Sequence, residues 1–122
     1  MRFADLVGTW TLHRIEITGA TGVRILDQPS ASGMLRYTAD GQVWVILHVP
    51  DHQPDGLLSG AYTGTVTVEA DTVIHHVSVG TTPFGAGSVL ARNADLSADR
   101  TELCLSAPAA GVTARLRWQR TA

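Results

Sequence analysis

Leu6-Val7-Gly8-Thr9-Trp10-Thr11-Leu12 begins the first long apolar-patterned run of the chain, and everything after it is read against this segment. A Gly-x-Trp opening a β-strand has a physical use in a small closed barrel. Gly8 lets the chain turn tightly into the strand. Trp10 is large enough to plug a narrow barrel end, and its indole N–H needs a partner once buried. The same three residues also begin ordinary strands, so a barrel requires about eight or nine strands from the chain as a whole.

The remaining sequence supplies them. Leu6 to Ile17 reads as one long strand, rich in β-branched residues. Thr18-Gly19-Ala20-Thr21-Gly22 is a turn, and Val23 to Leu26 is a short second strand. Asp27 to Gly33 is loop chemistry, polar and rich in Pro and Gly. Met34 to Thr38 and Gln42 to Val49 form a hairpin around Ala39-Asp40-Gly41, where Asp-Gly is a strong turn signal. Pro50 to Ser59 carries two prolines and two aspartates and is the longest irregular segment, a candidate lid or mouth loop. Gly60 to Glu69 and Thr72 to Val79 form a second hairpin closed by Ala70-Asp71, and Gly80 to Gly87 is another loop. Val89 to Leu96, Thr101 to Leu105 and Val112 to Gln119 complete the set. No window shows helical periodicity. The sequence predicts a single all-β domain, a barrel or sandwich of short strands.

Alternation assigns faces where it is clean. Val112, Ala114, Leu116 and Trp118 share one side of the last strand. Tyr62, Gly64, Val66 and Val68 form a second inward set, and Val73, His75, Val77 and Val79 a third. Val43-Trp44-Val45-Ile46-Leu47-His48-Val49 is apolar on both faces, so its parity stays open. A strand of that kind in a single-layer barrel implies a covered outer face, which points to a second subunit and a homodimer.

Composition bounds the function. The 122 residues fit one domain, 44% hydrophobic and 16% charged, with a net charge of −2. This argues against a nucleic-acid partner, which requires a basic patch. No apolar run approaches a membrane span of about eighteen residues, and the first residues lack the apolar core of a signal peptide. A cytoplasmic protein is expected. Cys104 is the only cysteine, so disulfides within the chain and cysteine-based metal clusters are excluded.

Four blocks in order carry a resemblance: Leu6 to Leu12; Gly33-Met34-Leu35-Arg36-Tyr37-Thr38-Ala39-Asp40-Gly41; Tyr62-Thr63-Gly64-Thr65 leading into Asp71 to Val77; and Arg115-Leu116-Arg117-Trp118-Gln119-Arg120. Together they resemble the small bacterial lipocalin-like domain family, within the calycin-type barrels. The resemblance implies an up-and-down antiparallel barrel of eight or nine strands (about one per ten to fifteen residues). It also implies a C-terminal arginine packed over the Gly-x-Trp indole, with Arg120 the candidate and Arg117 second. Such a stack is worth about 0.5–2 kcal/mol. Between Pro50 and Gly60 the chain departs from the family, having a brief Pro/Gly loop where relatives carry a longer, partly helical segment. Barrels of this kind hold small apolar or amphipathic molecules, and similar ones act as cofactor-free cyclases or isomerases.

His75 is the sharpest candidate for chemistry, because an imidazole in an apolar cavity is either an acid/base or anchoring group, or a core histidine satisfied by its neighbours. Tyr62, on an inward face, is a candidate to orient a ligand oxygen or assist proton transfer beside it, or else a barrel tyrosine bonded to water or backbone, and Tyr37 is the second strand phenol. Arg36, on the Met34 face, is a candidate interior cation for a carboxylate or enolate, or else a solubilising surface residue. Met34, Trp44, Val66, Val73, Val77, Phe84 and Leu116 are candidate ligand-lining residues, with plain packing as the alternative. His76 alternates outward and so cannot share a metal with His75. His48, His52, Asp51 and Asp55 match no metal signature. His13 reads as a surface residue and Cys104 as inert. There is no nucleophile elbow, P-loop, dinucleotide fingerprint or interior carboxylate pair. The expectation is a cofactor-independent isomerase or cyclase of specialised metabolism acting on a small hydrophobic molecule, without metal or cofactor. The alternative is a non-catalytic carrier, and a lesser one is a haem barrel using His75 or His48.

Overall fold

A computed structural model describes residues 1–27, 30–49, 59–109 and 111–121. A single 3₁₀ turn, Phe3–Asp5, precedes nine strands among these residues. They are β1 (Gly8–Gly19), β2 (Gly22–Asp27), β3 (Ser32–Tyr37), β4 (Gln42–His48), β5 (Gly60–Glu69), β6 (Thr72–Gly80), β7 (Val89–Leu96), β8 (Glu102–Ala109) and β9 (Val112–Arg120). From β3 to β9 each strand pairs antiparallel with the next, and β9 pairs back onto β1. One edge of β1 is shared: Gly8 to Thr11 pair with β3, and Arg14 to Gly19 pair with β2. β2 and β3 are therefore successive pieces along one edge. The barrel has eight closed staves in an up-and-down arrangement and one extra strand, β2, which pairs on one side only among the described residues.

Two register shifts correct simple alternation. Between Leu12 and Arg14 β1 takes an extra residue against β9, so Leu12 and Ile15 are both buried. On β6 the extra residue is Ser78, because Gly64 pairs with Val77 while Thr63 pairs with Val79. Val79, expected inward with Val77, is thereby turned outward and is 67% exposed. At this bulge the two backbones close so tightly that a Cβ on Gly64 would lie 1.9 Å from the His76 carbonyl oxygen.

The two-sided apolar strand is also resolved. Val43 and Val45 face the core, and Trp44 and Ile46 lie outside, each more than half exposed. Met34, Trp44, Ile46 and Val79 line a groove of about 640 Å³ on the outer face of β3 to β6. The segment expected to act as a lid, Pro50 to Ser59, lies outside the described residues except for Ser59.

The narrow end is built as the Gly-x-Trp reading requires. Trp10 is fully buried and its Nε1–H donates to the Leu6 carbonyl at 2.9 Å. The Arg120 guanidinium lies 4.3 Å from the Trp10 ring centre. It also donates to the carbonyls of Val7, Asp5 and Arg100 at 2.7, 2.6 and 2.9 Å. One arginine thus joins the turn before β1, the β7–β8 connection and β9. No helix of the described residues is long and apolar enough to cross a membrane.

Candidate functional site

β3, β5 and β6 each point one polar aromatic side chain into the barrel. On β3, Leu35 and Tyr37 alternate inward; on β5, Tyr62; on β6, Val73, His75 and Val77. The three rings meet. His75 Nε2 lies 2.7 Å from the Tyr37 hydroxyl, and His75 Nδ1 lies 2.7 Å from the Tyr62 hydroxyl. His75 and Tyr37 are each 1% exposed and Tyr62 is 9% exposed. The Phe84 ring, from the loop after β6, sits 5.1 Å from Tyr62, and Phe3 packs edge-on against Tyr37 at 6.0 Å. Each tyrosine of the triad thus packs against one phenylalanine.

Burial, then the nearby charges of Arg92 and His76, hold the His75 pKa down from 6.5 to about 3, so the imidazole is neutral at physiological pH. A neutral imidazole has one N–H donor and one acceptor nitrogen. One tyrosine therefore donates to His75 and the other accepts from it. Tyr37 is the more deeply buried, and its hydroxyl has no other partner among the described residues, so a proton left unbonded there is costly. The favoured tautomer carries the proton on Nδ1: Tyr37 O–H donates to Nε2, Nδ1–H donates to the Tyr62 oxygen, and the Tyr62 O–H is left to point into the barrel. Burial pushes the Tyr62 hydroxyl up to about 12, with Arg92 opposing, and raises Tyr37 well above its ordinary 10. Both phenols stay protonated. Tyr62 is a neutral donor oriented from behind by His75.

The expected interior cation is not Arg36. On β3, Met34 and Arg36 occupy the outward parity and are exposed, because Leu35 and Tyr37 take the inward one. Met34 and Trp44, also expected to line a cavity, line the outer groove. The inward cation is Arg92, which sequence reading missed. Its signal was in the chain: Leu90, Arg92, Ala94 and Leu96 alternate along β7, and the burial pattern turns all four inward. Arg92 pairs with Val73 across β6, its charge acts on Tyr37, Tyr62 and His75, and its pKa is lowered by burial.

The other lining candidates belong to or pack against the core. Val73 and Val77 are buried, and Val66, Leu116 and Phe84 are partly buried against the core. Val66, Val68, Leu90 and Leu116 face inward yet retain exposure, so the interior is not filled at their level. His76 faces out and meets Thr67 Oγ1 at 3.0 Å. His48 is exposed on the outward parity of β4, and His52, Asp51 and Asp55 lie outside the described residues. Among the described residues no three His, Cys, Asp or Glu side chains could hold a metal ion. A haem-ligating role for His75 requires breaking one of its two tyrosine bonds.

Fold and site together define the class: a closed eight-strand antiparallel barrel, consistent with a lipocalin-like (calycin) fold, carrying a buried Tyr–His–Tyr chain and an interior arginine. Comparison with protein-family models and with curated proteins returns no match.

Proposed function

We propose that this barrel is a cofactor-independent isomerase or cyclase acting on a small hydrophobic molecule held in its interior, and that it belongs with the small lipocalin-like barrels. One observation carries the reading: a fully buried His75 holds a phenol at each ring nitrogen, at 2.7 Å, and Tyr62 is the phenol of the two that keeps some exposure. A preoriented neutral O–H in an apolar enclosure is suited to stabilise a carbonyl oxygen as it gains enolate character. Removing one such donor costs roughly a hundredfold or more in rate. The apolar walls, Val66, Val73, Val77, Leu116 and Phe84, hold the substrate body and exclude water. The carrier reading is favoured by a different observation. Both His75 nitrogens are engaged, and the acids of the described strands all take outward parity, so no strong base faces the ligand among those residues.

Deuterium exchange separates the two. With 2-tetralone, a small apolar ketone, as probe in D₂O, exchange beside the carbonyl is followed by NMR with and without protein. Carbonyl activation predicts accelerated exchange that Tyr62→Phe removes while the ketone still binds. A ketone that binds and exchanges at its solvent rate makes the protein a carrier. The proposal also places a second copy of the chain over the outer groove of Met34, Trp44, Ile46 and Val79. Sedimentation velocity at increasing concentration tests this, and a monomer throughout removes it.

A further inference from the structure

We propose that the molecule held in the barrel carries an anionic oxygen group, a carboxylate or an enolate, which Arg92 binds beside the Tyr62 hydroxyl. This rests on the interior-ligand reading above and adds the charge of the ligand to it. Arg92 stands on the inward parity of β7, between Leu90 and Ala94, and is only partly exposed. The one side-chain hydrogen bond it makes among the described residues is from Nη1 to its neighbour's carbonyl, Ala91, at 3.1 Å. A guanidinium has five N–H donors, so most of this fork is uncommitted.

Nothing in the described interior neutralises it. Glu16, Asp27, Glu69, Asp95 and Glu102 all lie on outward parity, and Glu16 is taken by Arg117 on the outer surface. The two nearby tyrosines remain neutral phenols and His75 is a neutral imidazole. The interior therefore carries one net positive charge. A partly desolvated cation without a counter-charge costs free energy, which an anionic occupant recovers.

On β8 and β9 the inward residues Ala107 and Ala114, next to the strand that carries Arg92, are closed over by their neighbours, and the open part of the interior lies at half-buried positions. Val66, Leu90 and Leu116 are the half-open apolar walls. A planar oxyanion matches the guanidinium fork, and the apolar walls match a hydrophobic body.

Two dyes with one skeleton test this. N-phenyl-1-naphthylamine is neutral, and 8-anilino-1-naphthalenesulfonate adds a sulfonate that stands in for the oxyanion. Fluorescence titration of the full chain is expected to show the sulfonate binding roughly ten- to a hundredfold more tightly, the scale of a charge-assisted hydrogen bond. Arg92→Gln is expected to abolish that preference while leaving the neutral dye's affinity in place. Arg92→Lys is expected to keep part of it. If neither dye binds, the interior-ligand reading itself fails. If the neutral dye binds but the preference is absent, or survives Arg92→Gln as it would for dye lodged in the outer groove, only the anion assignment is overturned. Should Arg92→Gln not fold, the wild-type arginine Nε–H resonance decides: it shifts with the sulfonate and not with the neutral dye, and an unmoved resonance refutes the proposal.

Discussion

Replacing His75 with glutamine is expected to flatten the response of the fold to acid. In the native barrel His75 resists protonation until about pH 3, whereas in the unfolded chain it takes a proton at its ordinary 6.5. Between these values the unfolded state binds more protons, so stability rises with pH and is lost as pH falls from about 6.5 towards 3. At about 1.4 kcal/mol per pH unit, a fall from 6.5 to about 3 amounts to about 5 kcal/mol. That is a large share of the 5–15 kcal/mol (roughly) that holds a domain of this size together. Asp5 and Asp99, whose pKa values are lowered by backbone and side-chain hydrogen bonds, act in the same sense at lower pH. They are common to both proteins and cancel in the difference. Urea unfolding followed by tryptophan fluorescence, at intervals from pH 8 to pH 4, measures it. His75→Gln is expected to be less stable at pH 7, with the two stability curves converging as the pH falls. Parallel curves refute the reasoning. Should the variant not fold, NMR of the wild-type His75 ring decides, because a midpoint near 6.5 contradicts a buried neutral imidazole.

The remaining predictions concern the scaffold. Arg120→Ala removes the stack on Trp10 and the donors to three carbonyls, and is expected to cost about 3 kcal/mol in chemical denaturation. Arg120→Lys is expected to recover little, since an ammonium cannot reproduce the flat fork. Gly64→Ala forces a Cβ against the His76 carbonyl and is expected to destabilise by about 2 kcal/mol or more, read as a lowered Tm.

The barrel was legible because its evidence is periodic and local. Asp40-Gly41 and Ala70-Asp71 mark two of the hairpins among the described residues, the Gly-x-Trp segment anticipated the Trp10 plug, and the resemblance supplied Arg120 over it. Parity was legible wherever one face is polar, as on β5 and β9. It failed at Val79 because a single inserted residue, Ser78, reverses every side chain after it. It was undecidable for Trp44 because both faces of β4 are apolar. Arg36 was read as the candidate interior cation, and Arg92 was missed, for a related reason. Each alternates with apolar residues, and only the neighbours of Arg36 in space, Tyr37 meeting His75, show which set the barrel takes in. The Tyr37–His75–Tyr62 chain joins residues 38 and 13 positions apart. No local pattern encodes such a meeting, although each member was already a candidate by residue type.

Closure of β1 against β9 has a kinetic consequence. The Arg120–Val7 bond spans 113 positions of the chain, and the β1–β9 ladder around it is among the most distant pairings in the fold. Every intervening hairpin can form from neighbours, but the first strand must wait for the last. Until then the β9-facing edge of β1 stays unpaired and can recruit the edge of another chain. Folding is therefore expected to be slow for the chain's size, with ring closure late and rate-limiting. Dilution should favour correct closure over strand exchange between molecules.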